Sequence, residues 1–160
     1  MHPVLSALVF ASIGPSQASQ TDAFEKDRFL LGHWTCEARK GDEAPMKEQA
    51  SYSLTLDSKW LLLHYRLEAP AGQVETDAYE GYDLRLRKWI YTSFASDGTY
   101  GTSYSDGWIG NVKTYKPNPS EARQFTFTAT RESNDRFTER VDVPSPTGPL
   151  TVFDMSCRRA

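Results

Sequence analysis

The sequence predicts an all-β chain, an antiparallel up-and-down β-barrel of about ten strands with a short N-terminal helix capping one end. Three observations carry this. After Trp34 helical periodicity does not recur, and period-two alternation of apolar and polar residues takes its place. Compact turn signals separate the alternating runs, and short connections force each strand to pair antiparallel with the one before it. The two cysteines, Cys36 and Cys157, stand on the first and last of these runs, so a bridge between them sets the chain's two ends side by side. A two-layer sandwich is the alternative. Closure is favoured because an open meander exposes two long edges.

The helix is expected from Asp22-Ala23-Phe24-Glu25, where Asp22 serves as N-cap and Glu25, three residues on, completes a capping box. Phe24, Leu30 and Leu31 give it an apolar side for plugging the barrel, and Gly32 ends it by permitting positive φ. Strands are expected at 34–39, 49–56, 60–68, 76–84, 89–95, 99–104, 108–115, 124–131, 136–143 and 150–158. The tight turns between them include Asp57-Ser58-Lys59, Asp97-Gly98, Ser105-Asp106-Gly107 and Ser133-Asn134-Asp135. Longer, proline-bearing links at 40–45, 69–72, 116–122 and 144–149 belong at the rims.

Parity supports the bridge. Gly32, Trp34 and Cys36 share one face of the first strand; Phe153, Met155, Cys157 and Arg159 share one face of the last. Each cysteine thus sits on its strand's apolar face, as a cross-strand pair inside a barrel requires.

With 160 residues the chain is the size of one domain. Residues 4–13 form the only long apolar run, far short of the roughly 20 residues of a membrane-spanning helix, so no integral membrane segment is expected. Pro15-Ser16-Gln17-Ala18 follows it with the small-x-small pattern of a signal-peptidase site, although only His2, and no Lys or Arg, precedes the run. Residues 1–18 are therefore expected to be a secretory signal peptide, and residues 19–160 a single barrel domain, exported to a periplasmic or extracellular space where a disulfide is favoured. The net charge is −3 and basic residues do not gather on a broad face, so nucleic acid is not expected as a partner.

Gly32-His33-Trp34 at the entrance to the first strand, with Arg158 or Arg159 at the end of the last, resembles the lipocalin and calycin signature. That resemblance implies that Trp34 closes the barrel floor beneath a basic side chain, with Gly32, Trp34 and Arg159 as the closure. Tyr79-Glu80-Gly81-Tyr82-Asp83, Lys88-Trp89-Ile90-Tyr91, Ser96-Asp97-Gly98 and Ser105-Asp106-Gly107-Trp108-Ile109-Gly110 are similar to segments of small bacterial lipocalin-like proteins. The strand number resembles the ten-stranded fatty-acid-binding and nitrobindin-like branches more than the eight-stranded ones. In place of the glycine-rich first strand of the nitrobindin-like branch stands Thr35-Cys36-Glu37-Ala38, so haem is not implied and no cofactor is expected.

The expected function is binding of a small, largely apolar molecule, with room for an anionic group, in the barrel cavity. The candidate ligand-binding residues are Trp60, His64, Arg66, Tyr82, Tyr91 and Tyr104. In strand 60–68, Leu61, Leu63, Tyr65 and Leu67 share one face and Trp60, Leu62, His64, Arg66 and Glu68 the other. If the mixed face points inward, Arg66 can grip a carboxylate and His64 can donate or accept. If the leucine face points inward, both lie at the surface. The tyrosines and tryptophans likewise either line a cavity or fill it.

Two other functions share this scaffold. A cavity enzyme of isomerase or cyclase type would use His64 or Glu80 as proton shuttle, Glu80 only if burial raises its pKa. A filled barrel would serve structure or interaction. Neither Gly-x-Ser-x-Gly nor a phosphate-cradling glycine loop occurs, and with no His-x-His or Cys-x-x-Cys spacing no metal site is expected.

Overall fold

A computed structural model of the chain describes residues 24–69 and 72–160. The expected signal segment and the expected N-cap Asp22 lie outside the described residues. A 3-10 helix (Glu25–Leu30) leads into eleven strands, β1 (Gly32–Arg39), β2 (Met46–Thr55), β3 (Trp60–Ala69), β4 (Gly72–Asp83), β5 (Lys88–Ala95), β6 (Tyr100–Ser105), β7 (Trp108–Ile109), β8 (Val112–Tyr115), β9 (Thr126–Arg131), β10 (Arg136–Val143) and β11 (Leu150–Arg159). They form one antiparallel sheet in the order β6-β5-β4-β3-β2-β1-β11-β10-β9-β8-β7. The run expected as one strand, 108–115, is two: Gly110 adopts φ +63° and folds the chain back, so that Ile109 pairs with Val112 and Trp108 with Lys113.

The chain's first and last strands are neighbours in the middle of this order. Trp34 to Arg39 pair with Arg159 to Asp154, and Cys36 lies opposite Cys157, to which it is bonded. The sheet curls into a half-barrel. Its loose seam is not between β1 and β11 but between β6 and β8, which meet at a single bridge, Tyr104 with Lys116, through amide bonds of 2.8 and 3.0 Å.

Alternation sorts each strand. On β2, Met46, Glu48, Ala50 and Tyr52 are buried; on β3, Leu61, Leu63 and Tyr65; on β10, Phe137 and Glu139; on β11, Met155 and Cys157. The helix seals one end with Phe24, Phe29 and Leu30, all within the core. There Trp34, 1% exposed, donates from Nε1 to the carbonyl of Leu30 at 2.6 Å. Arg159 lies over its indole, 4.5 Å from the ring centroid, and donates to the carbonyls of Leu31 and Phe29 at 2.9 and 2.6 Å. Gly32 turns out of the helix at φ +113°, and a Cβ there would stand 3.3 Å from the Arg159 guanidinium. Gly32, Trp34 and Arg159 thus meet at the helix end of the sheet.

Among the described residues no helix is long and apolar enough to cross a membrane.

Candidate functional site

The end of the barrel away from the helix is hollow. A cavity of about 320 Å³ lies between the sheet's walls. Leu67 of β3, Val74 of β4, Phe127 of β9, Val141 of β10, and Phe153 and Met155 of β11 give it an apolar lining. Its polar groups are Glu48, Glu139, Tyr65 and Tyr91, with Ser93, Ser103 and Thr76.

The two carboxyls face inward because each stands at an inward position of an alternating strand. Glu48 lies between Met46 and Ala50 on the inner face of β2, and is 5% exposed. Glu139 follows Phe137 on the inner face of β10, and is 7% exposed. Burial pushes the Glu48 carboxyl up to about 7. Burial, and then the charge of Glu48, pushes Glu139 up to about 8. Tyr52 and Tyr65 share a hydroxyl–hydroxyl bond of 2.8 Å and both direct their hydroxyls at Glu139 Oε1, at 3.5 and 3.4 Å. Those last contacts are long, so they relieve little of the cost of burying a charge. Burial also raises the Tyr91 hydroxyl, which the neighbouring carboxylates push further in the same direction.

A second charged cluster lies at the floor. Lys113 of β8 is 1% exposed and its ammonium is shared between Asp27 of the helix, at 3.1 Å, and Glu80 of β4. Trp108 Nε1 also donates to Asp27 Oδ1, at 2.7 Å. The ammonium sits 3.9 Å from the centroid of the Trp89 ring. Burial raises the Glu80 carboxyl, and Lys113 opposes that rise. Three elements far apart in sequence are thereby locked together, while Asp27 Oδ2 is buried with no hydrogen-bond partner among the described residues. Glu80 is paired with Lys113 and does not line the hollow end of the barrel.

The leucine face of β3 points inward, so several expected ligand contacts must be corrected. His64 lies on the outer face and pairs with Asp77 at 2.7 Å, its side chain 40% exposed. Arg66 lies beside it on the same face and pairs with Glu75 at 3.0 Å. Each faces an acidic side chain directly across β3 and β4. Trp60 is also outside, covering Gly81 so closely that a Cβ there would come within 2.6 Å of the indole. The reason is parity: Leu61, Leu63 and Tyr65 gain more from the core than Trp60, His64 and Arg66, and one strand can bury only one set. With Arg66 outside, the anion grip expected from it is not in the cavity.

Tyr104 is outside as well, facing a surface groove with Leu86 and Lys88, because its neighbours Ser103 and Ser105 take the inner face of β6. Tyr82 points inward but packs edge-on against Trp89, at 5.6 Å, rather than lining the cavity. Tyr91 alone of the six candidates lines it.

Sequence reasoning missed Glu48, Glu139, Asp27 and Lys113. The signal was present in the same parity that placed the cysteines: Glu48 and Glu139 are the single acids on otherwise apolar faces. Among the described residues no group of three His, Cys, Asp or Glu stands together as a metal site would need.

No protein-family model matches the chain, and no curated protein matches it significantly. Among solved structures it is similar to a de novo designed fluorescence-activating β-barrel, at 13% identity and a TM-score of 0.48 over 83% of this chain and 95% of that one. It is also similar to a redesigned β-barrel, at 13% identity and a TM-score of 0.43 over 83% and 93%.

Proposed function

We propose that the protein is an exported, calycin-type barrel that binds a small, largely apolar molecule in the cavity between β2, β5 and β9 to β11. The observation that carries this is the cavity itself. At about 320 Å³ it is large enough for a molecule of two or three rings, and its walls are mostly apolar. A barrel built only for rigidity has no reason to leave such a space, since unfilled volume forfeits dispersion contacts. The Cys36–Cys157 bridge suits an oxidising destination, consistent with the signal-like start of the sequence.

The test is titration of the purified protein with N-phenyl-1-naphthylamine, an apolar fluorophore whose nitrogen is not basic. The expected result is saturable, one-to-one fluorescence enhancement. Val141→Trp, which fills the cavity from β10, should abolish it while leaving the far-ultraviolet circular dichroism unchanged. No enhancement by the wild-type protein, or equal enhancement by the filled variant, overturns the proposal.

A further inference from the structure

The cavity holds acids and no base. Glu48 is buried to 5% exposure and lines the cavity, yet it has no ion pair or hydrogen-bond partner among the described residues. Glu139 has only the long contacts from Tyr52 and Tyr65. Among the described residues no Lys, Arg or His lines the cavity. The inward ammonium of Lys113 is already divided between Asp27 and Glu80 at the floor. Burying a carboxylate without a cation costs several kcal/mol, and a chain that places two of them around one hollow leaves that charge to be balanced from outside.

Resting on the cavity-binding function above, we infer that the ligand is an apolar amine, its ammonium held by the carboxyls of Glu48 and Glu139 and its hydrocarbon body by the apolar walls. The ring of Tyr91, tilted against Phe127 at 5.7 Å, is an aromatic part of the same lining. Without ligand the two carboxyls are pushed up by burial to about 7 and about 8, so near neutral pH they hold protons that an entering ammonium replaces. Binding therefore releases protons near neutral pH.

The other groups that bear on this equilibrium are few. Tyr52 and Tyr65 face Glu139, and Tyr91 faces both carboxyls from β5. All three hydroxyls are pushed up by burial and stay neutral. Glu80 raises Glu139 from β4 through its charge. Lys113 and Asp27 face Glu80 from β8 and the helix. β1, β6, β9 and β11 contribute no ionisable side chain to the cavity.

Three probes with one body decide it: 2-naphthylmethylamine, 2-naphthylmethanol and 2-naphthoate, titrated calorimetrically. An aralkylamine, like lysine, stays largely protonated from acid to mildly alkaline pH. The amine is expected to bind about tenfold or more tighter than the alcohol at mildly alkaline pH, the gain of a charge-assisted bond. Its affinity should rise as pH rises through the range in which Glu48 and Glu139 ionise, and that of the alcohol should not. Near neutral pH the amine's binding heat should vary with the buffer's ionisation enthalpy, in the sense of proton release. Glu48→Gln and Glu139→Gln should bring the amine down to the alcohol's affinity.

Equal binding of amine and alcohol overturns the amine assignment and leaves cavity binding standing. Preference for the naphthoate overturns it too, and assigns the carboxyls as protonated donors. Failure of all three to bind removes cavity binding as well. Should the Gln variants not fold, proton release and the pH series on wild-type protein still decide the matter, and their absence overturns it.

Discussion

Arg159 lies over the face of Trp34, its guanidinium carbon 4.5 Å from the ring centroid, and ties the last strand to the helix through the carbonyls of Phe29 and Leu31. It also bonds Asp135 at 3.0 Å through Nε. One side chain thus joins the helix, β1, β11 and the β9–β10 turn. Arg159→Ala should destabilise the fold by about 2 to 3 kcal/mol in urea unfolding, from the lost stacking and the orphaned carbonyls. Arg159→Lys should recover only a small part, because an ammonium cannot serve these acceptors in one plane. Probe binding in the cavity, at the opposite end, should survive both.

The Cys36–Cys157 bridge closes a loop of 121 residues in sequence. The chain-entropy model gives such a loop a contribution of up to about 5 kcal/mol, acting on the unfolded state. The native pairing does not depend on it, since β1 and β11 match from Trp34–Arg159 to Arg39–Asp154. A double Cys36→Ser, Cys157→Ser variant should lose about 3 to 5 kcal/mol yet keep the wild-type circular dichroism below its lowered melting point. Loss of β structure under native conditions would show instead that the bridge sets the pairing.

The meander and the β1–β11 adjacency were legible because each depends on local alternation and on a few residues with strong demands. The two faces of β3 were not decided by alternation alone, since both are partly apolar; Leu61, Leu63 and Tyr65 take the core, and the acids of β4 meet the other face. Asp77 and Glu75 stand across from His64 and Arg66, and that pairing requires knowing the register. The Asp27–Lys113–Glu80 cluster was out of reach for the same reason, its members belonging to the helix, β8 and β4. The break at Gly110 was missed because the inward side of β8 is Lys113 and Tyr115, and a lysine does not read as an inward residue in sequence.

Stability should fall as the solution is made alkaline. Glu48 and Glu139 have carboxyls raised from 4.5 to about 7 and about 8. A raised folded pKa favours the protonated state, so the stabilisation is complete below the unfolded value and is lost as pH climbs through the folded ones. Asp83 and Asp97, lowered by backbone and threonine donors, act only below the ordinary carboxylate range and do not mask this. The unfolding free energy from urea titrations should decline from mildly acidic to mildly alkaline pH, by at most on the order of 3 kcal/mol for Glu48 and on the order of 5 kcal/mol for Glu139. Glu48→Gln and Glu139→Gln should each flatten the profile; an unchanged slope in both would contradict the assignment.

Lys113 neutralises two buried acids, so its removal should cost more than theirs. Lys113→Met leaves Glu80 and Asp27 uncompensated and should destabilise by about 3 to 5 kcal/mol. Adding Glu80→Met should restore part of the loss, because the double change removes a charge that otherwise stays buried. Asp27 keeps its bond from Trp108, at 2.7 Å, which limits what remains. A double variant less stable than Lys113→Met alone would mean that Glu80 contributes something other than its charge pair.

The β2–β3 turn offers stability to be gained. Lys59 N–H donates to the Leu56 carbonyl at 3.2 Å, and the residues between, Asp57 and Ser58, have φ of +56° and +61°. Positive φ at both central positions marks the mirror-image turn that suits hairpin twist, and glycine is the residue that tolerates its second position best. Leu56 also sits at φ +50° with 65% of its surface exposed, so its side chain gains little for the strain. Ser58→Gly and Leu56→Asn should each raise stability by about 0.5 to 1 kcal/mol, with unchanged probe binding. Ser58→Pro should instead destabilise the hairpin by several times that amount, since proline cannot adopt positive φ. If Ser58→Gly lowered the melting point, the turn would have to be of another type.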